Sequence, residues 1–278
     1  MSDNIIQLQE IVLEIRRKIF RMICKAGGGH IAPAFSIAEL MTVLYFRILK
    51  IDKQNPSDPD RDRFILSKGH ACAALYATLV QAGLASAEHL DLFCQQGGEL
   101  GGHPDCGAIP GIEATTGSLG HGLGLAAGIA LAGRMDQKDY RVYTIMGDGE
   151  CQEGSVWEAA LFAAHHGLDR LTAIIDYNKL QAIDPIKDVL GLEPFKEKWA
   201  SFNWAVKECD GHDLAGLEKV LQQTPFEKGK PSLLIAHTIK GKGISFMENV
   251  PIWHYRVPVG EEMQTALKEL GMESLEKE

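Results

Sequence analysis

Apolar residues recur along this chain with two periods. Between Ile5 and Cys24 they fall at Ile5, Leu8, Ile11, Val12, Ile15, Ile19, Met22 and Ile23, the spacing of a helix with one buried face; Gly27-Gly28-Gly29 stops it. Ile37 to Ile48 reads as a second helix, with Ser36 as N-cap and Glu39 at the capping-box position. Further helices are predicted over about 71–82, 119–134, 155–166, 213–223 and 260–270. The one at 155–166 buries Val156, Ala159, Ala160 and Ala163, with Leu161 and Phe162 widening the face and Gly167 at its C-cap. Short β-rich runs alternate with these helices and end near 67, 146, 176, 209 and 237. Apolar runs of that kind between helices are parallel strands buried on both faces. The predicted fold class is α/β, a central mostly parallel β-sheet flanked by helices on both faces.

The stretch from Arg141 to Asn178 organises the rest. It reads as strand, glycine turn (Gly147-Asp148-Gly149), helix and second strand, ending in Asp176-Tyr177-Asn178. A unit of this kind makes a right-handed crossover, which puts the carboxyl ends of both strands on one edge of the sheet. Asp148 and Asn178 each follow one of those ends, so a carboxylate and an amide oxygen converge at the crevice where open α/β sheets bind ligands. Gly149 leaves the backbone bare for a phosphate. Few protein oxygens beside a phosphate suit Mg²⁺, which borrows ligands from a diphosphate. Taken alone, Gly-Asp-Gly is also a plain strand-to-helix turn capped by Asp148; the paired Asn178 favours the ion site.

Composition narrows the classes. The chain has 278 residues, 45% of them hydrophobic, enough for one large α/β unit with a sizeable core. No run of about eighteen apolar residues marks a membrane span, and the N-terminus lacks a secretory pattern. A net charge of −9 argues against nucleic-acid or anionic-membrane binding. Six cysteines without CxxC spacing read as reduced thiols of a cytoplasmic protein.

Gly-Asp-Gly followed about thirty positions later by Asn resembles the thiamine-diphosphate signature, and GDGECQEG with Tyr177-Asn178-Lys179 is similar to transketolases. Further matches follow along roughly Leu8 to Val259: Gly29-His30, the strand–turn–helix string RDRFILSKGHACAALY, Gly102-His103-Pro104, the loop from Gly111 to Gly122, Thr238-Ile239-Lys240-Gly241-Lys242-Gly243, and Trp253-His254. The resemblance implies thiamine diphosphate with Mg²⁺ (or Ca²⁺ or Mn²⁺) as cofactors. It implies two-carbon ketol transfer from a ketose to an aldose, free or phosphorylated.

Residue by residue, the resemblance makes Asp148, Asn178 and the carbonyl of Leu180 the metal ligands. Gly147, Gly149, His70 and Lys240 meet the diphosphate, with Lys242 left in solvent; His254 also touches the cofactor, and His70 also counts among the catalytic residues. Backbone at Gly117, Ser118 and Leu119 meets the aminopyrimidine ring. His103 lies over the reactive carbon, His30 and His254 face substrate, and Glu153 reaches a carboxylate of a partner. Two loops depart from the family pattern, Ile31–Phe35 and Tyr255-Arg256, as does His121.

The glutamate that activates the cofactor in this family sits on a second, pyrimidine-binding domain, which lies beyond the present 278 residues. The resemblance therefore implies a single diphosphate-binding domain over 1–278, with a C-terminal extension from about 250. Its implied partner is a C-terminal transketolase subunit that supplies the pyrimidine domain and the glutamate, in an α2β2 heterotetramer. Alternatives are a transketolase for an unusual sugar, another split thiamine-diphosphate enzyme (deoxyxylulose-phosphate synthase-like or a 2-oxo-acid dehydrogenase α-subunit), or a non-catalytic scaffold that keeps the fold.

Overall fold

A computed structural model describes residues 3–276. Five strands, β1 (Arg63–Leu66), β2 (Val142–Gly147), β3 (Leu171–Tyr177), β4 (Ala205–Asp210) and β5 (Ser232–His237), form one sheet in the order β1-β2-β3-β5-β4. All four pairings are parallel, with Gly147 opposite Asp176 and Tyr177 opposite His237. The strand ends thus lie within a residue or so of their predicted positions.

The helices are α1 (Asp3–Ala26), α2 (Ile31–Phe35), α3 (Ala38–Val43), α4 (Cys72–Gln81), α5 (Glu88–Asp91), α6 (Gly122–Met135), α7 (Gly154–His165), α8 (Ile186–Val189), α9 (Phe195–Ser201), α10 (Leu214–Leu221) and α11 (Glu261–Glu269). Alternate residues of the strands feed two cores. Tyr143, Ile145, Ile174 and Leu234 pack with α1, α3, α4 and α10, while Val142, Met146, Ile175 and Ile235 pack with α6, α7 and α9. The period of two in the strands is what lets helices cover both faces. At the C-terminus, Leu267 and Leu270, at the end of α11, join the first core, and Arg17 of α1 donates to the Leu270 carbonyl at 2.7 Å.

Two predicted details are corrected. The helix over 37–48 is present, α3 running without a break into a π-helical turn at Leu44–Ile48, but the capping box at its start is not formed and Ile37 stands at the N-cap position. Ser36 caps nothing there, because its hydroxyl donates to Pro33 O and to Asp176 Oδ2, and Glu39 turns to Arg16. Tertiary partners outcompete the local cap. In α7, Leu161 and Phe162 are 60% and 41% exposed, so the buried face is the narrower stripe of Val156, Ala159, Ala160 and Ala163. Gly167 does end that helix, at φ +57°, with Leu168 N bonded to Ala163 O and Gly167 N to Ala164 O. No helix among the described residues is long and apolar enough to cross a membrane.

Candidate active site

The carboxyl ends of β1, β2, β3 and β5 open on a cleft of about 410 Å³. Its lining includes His30, His70, His103, Gly117, Leu119, Gly147, Asp148, Gly149, Glu153, Asn178, Leu180, Lys240 and His254. Of the site residues expected from the sequence, Ser118 alone falls outside that lining, and it is exposed.

Asp148 leaves β2 into a short 3₁₀ turn, Gly149–Gln152, which intervenes before α7. Its Oδ1 accepts Gly149 N at 2.8 Å and its Oδ2 accepts Lys179 N at 2.5 Å, which ties the end of β2 to the end of β3. Asn178 is 6% exposed; its Oδ1 accepts Leu180 N and its Nδ2 donates to Asp176 Oδ2, both at 3.0 Å. The crossover therefore delivers both side chains to one rim. Burial, then the charge of Asp176, pushes the Asp148 carboxyl up to about 7.

Beneath the rim lies a network that the sequence pattern does not reveal. Asp176 is fully buried, paired with Lys68 and bonded to Ser36, Thr238 and Asn178. Burial alone would raise its pKa, but Lys68 and these hydrogen bonds hold it below the usual carboxylate range. Glu150, also buried, accepts from Ser67, from Gly120 N at 2.8 Å and from Gly147 N at 3.0 Å, joining β1, β2 and the loop before α6. Lys68 sits in the string SKGH and Glu150 directly after Gly-Asp-Gly, so adjacency to matched motifs is the one signal the sequence offers for them. Gly69 is needed because a Cβ there would stand 2.8 Å from Gly117 N, where the β1 turn and the loop at 117 touch.

Four histidines gather above this floor. His30 lies 5.1 Å from His70, 6.4 Å from His103 and 5.1 Å from His254 between ring centroids, and His70 and His254 are 5.3 Å apart. Burial first, then neighbouring histidines and lysines, lowers His30 to about 4 and takes His70 well below its ordinary value. Burial and then Lys240 lower His254 to about 3. These three imidazoles are neutral at pH 7 and can each donate and accept one hydrogen bond. Lys240 Nζ donates to His254 Nδ1 at 2.8 Å, Leu180 O at 3.3 Å and Gln181 O at 3.1 Å, and burial lowers it to about 8. Lys242, expected in solvent, is half-buried and pairs with Glu248 at 3.4 Å.

Of the two departing segments, Ile31–Phe35 is not a loop but the buried helix α2, and Tyr255 and Arg256 lie outside the cleft lining. The Tyr255 ring stands 4.7 Å from His30, while Arg256 turns to Glu262 at 2.8 Å and covers Trp253. His121 lies outside the cleft lining, its Nδ1 3.2 Å from Leu119 O.

Together these features define a parallel α/β protein whose strand rim holds a cleft lined by histidine, lysine and acidic side chains. The chain belongs to the transketolase family of transferases: residues 8–277 match the family model for the transketolase, thiamine diphosphate binding domain. It is 42% identical over 265 residues to one subunit of the apulose-4-phosphate transketolase of Phocaeicola vulgatus, covering 95% of this chain and 94% of that one. It is 43% identical over 273 residues to the 6-deoxy-6-sulfo-D-fructose transketolase subunit SqwG of a Clostridium species, covering 98% and 99%. Transketolase from Campylobacter jejuni superposes with a TM-score of 0.90 at 32% identity, over 98% of this chain and 43% of that one. The chain thus matches nearly the whole length of the two subunits and spans about two fifths of that longer enzyme.

Proposed function

We propose that this chain is the N-terminal, diphosphate-binding subunit of a two-chain transketolase. The reaction would move a two-carbon ketol unit from a ketose to an aldose with thiamine diphosphate and a divalent ion, Mg²⁺ or its stand-ins Ca²⁺ and Mn²⁺. What carries this reading is the convergence of Asp148 and Asn178 on one rim beneath the cluster of four histidines.

The residues present fit that cofactor. Asp148 is buried and makes no ion pair among the described residues, and a cation would relieve its raised pKa. Gln181 Nε2 is a buried donor with no partner among the described residues, and it lies 3.4 Å from where a Gly149 Cβ would stand. A donor left free beside a bare glycine suits a phosphate oxygen. Among the described residues no group of three His, Cys, Asp or Glu side chains makes a metal site, so the ion would rely on Asp148, Asn178, Leu180 O and diphosphate oxygens. When bound, the cofactor supplies the electron sink that lets a carbon–carbon bond break beside a carbonyl.

The chain's own residues would orient substrate. With an ammonium donating to Nδ1, His254 carries its hydrogen on Nε2 and offers it to a sugar oxygen. His30 and His70, also neutral, can each accept a hydrogen bond from a substrate hydroxyl. His103, exposed at the cleft, would hold the oxygens of the transferred unit. Lys240 would balance phosphate charge, and Glu153, exposed at the start of α7, would reach the partner.

Residues 1–278 would form one domain, in the cytoplasm. An α2β2 heterotetramer would bring the pyrimidine-binding domain and activating glutamate from the other chain, in pentose-phosphate-type sugar metabolism. The purified chain, given cofactor and Mg²⁺, should show no ketol transfer until that second chain is added; full activity alone would contradict the split.

A narrower specificity has its own support. The Tyr255 ring packs 4.7 Å from His30, a cleft residue, and the two similar subunits are named for unusual sugars. Within the transketolase reading, a specialised acceptor or donor is therefore favoured over a broad range. A panel of ketose and aldose phosphates assayed with Tyr255→Gly should broaden acceptance; an unchanged profile would remove Tyr255 from specificity.

A further inference from the structure

Asp210-Gly211-His212-Asp213, between β4 and α10, carries a histidine that the cleft does not use directly. Its ring bridges two elements that flank the cleft. His212 Nε2 accepts the main-chain N–H of Ile239 at 2.8 Å, one residue before Lys240. That acceptance places the ring hydrogen on Nδ1, which faces Glu39 Oε2 at 3.1 Å. Glu39 is 6% exposed and takes both of its oxygens to Arg16 Nη2, at 2.9 and 2.8 Å. Burial would raise the Glu39 pKa, but Arg16 and His212 outweigh it and keep the carboxylate ionised. Arg16 also donates to Phe35 O at 3.2 Å, at the end of the helix that begins beside His30.

We propose that His212 is a positioning residue for the cofactor lysine: through Glu39 and Arg16 it fixes the loop of Lys240 relative to the helix that follows His30. Two packing facts support a tight register. A Cβ at Gly211 would lie 2.4 Å from Thr238 Cγ2, and one at Gly243 would lie 3.1 Å from Arg16 Cδ. Gly241 N donates to Ala32 O at 3.1 Å, a second tie between the same two segments. Removing the imidazole leaves the Ile239 N–H without this acceptor and releases the start of the loop. Glutamine in its place can accept from Ile239 through Oε1 and donate to Glu39 through Nε2.

The functional meaning rests on the diphosphate role proposed for Lys240, but the positioning itself is testable without it. Amide hydrogen exchange on the ligand-free 278-residue chain should show residues 239–243 exchanging at least about tenfold faster in His212→Ala, with β3 amides unchanged. His212→Gln should return them to within about threefold of the parent. Thiamine diphosphate with Mg²⁺, titrated into the same proteins, should bind about tenfold more weakly to His212→Ala and near normally to His212→Gln. If His212→Ala fails to fold, Glu39→Gln and His212→Gln carry the exchange comparison. Unchanged exchange at 239–243, an equal rise across the sheet, or no recovery with glutamine would overturn the proposal. If the cofactor fails to bind the parent chain even with the second chain present, while exchange follows the pattern above, the diphosphate reading falls and the positioning stands.

Discussion

Lys240 Nζ donates to Nδ1 of His254 at 2.8 Å, joining the loop after β5 to the 3₁₀ turn Pro251–Tyr255. The contact couples two proposed tasks, charge balance for a phosphate and presentation of an imidazole N–H to substrate. Lys240→Met should weaken cofactor binding roughly 10- to 100-fold, the worth of one charge-assisted hydrogen bond or slightly more. Titration followed by tryptophan fluorescence checks this, and a change below about threefold would separate Lys240 from the diphosphate.

Cofactor binding should also move protons in opposite directions at two pH values. Asp148, raised to about 7, is largely protonated at pH 6, so a divalent ion must displace its proton. Lys240, lowered to about 8, is largely neutral at pH 9, where a diphosphate draws a proton back onto it. Calorimetry in buffers of different ionisation enthalpy should therefore report release at pH 6 and uptake at pH 9.

The histidine cluster makes a prediction about acid stability. His30 and His254 are held near 4 and 3, whereas the unfolded chain protonates histidine near its ordinary 6.5. The unfolded state then binds more protons, and their contribution to stability falls as pH drops below 6.5 towards those folded values. Asp148 works the other way, gaining stability as pH falls through 7, so the test is a difference. Urea unfolding from pH 7 to 5 should show a shallower loss for the double variant His30→Asn, His254→Gln than for the parent chain. Parallel curves would mean that neither ring is held neutral.

The sheet is legible in the sequence because buried parallel strands read as apolar runs, and the crossover rule then places Asp148 and Asn178 on one edge without any knowledge of their partners. Ser36 and Glu39 show where that legibility stops. Their spacing matches a capping box, yet Asp176 lies 140 positions from Ser36 and Arg16 lies 23 from Glu39, and these distant partners win. Lys68 is hidden for a related reason: its burial depends on Asp176, which in sequence is only the end of a strand. Leu161 and Phe162 mislead because apolar character records a tendency to be covered without saying by what, and here their own fold leaves both exposed.

The cofactor reading stands or falls on whether Asp148 and Asn178 act as one unit on a metal-bound diphosphate. A double-mutant cycle of Asp148→Ala and Asn178→Ala, read as the Mg²⁺-dependent affinity for thiamine diphosphate of the chain together with its partner, probes that coupling. Each single variant should lose about 100-fold or more, and the double variant should be no worse than the poorer single within about threefold. Single variants that keep both their affinity and its dependence on Mg²⁺ would show that the two side chains hold no shared ion.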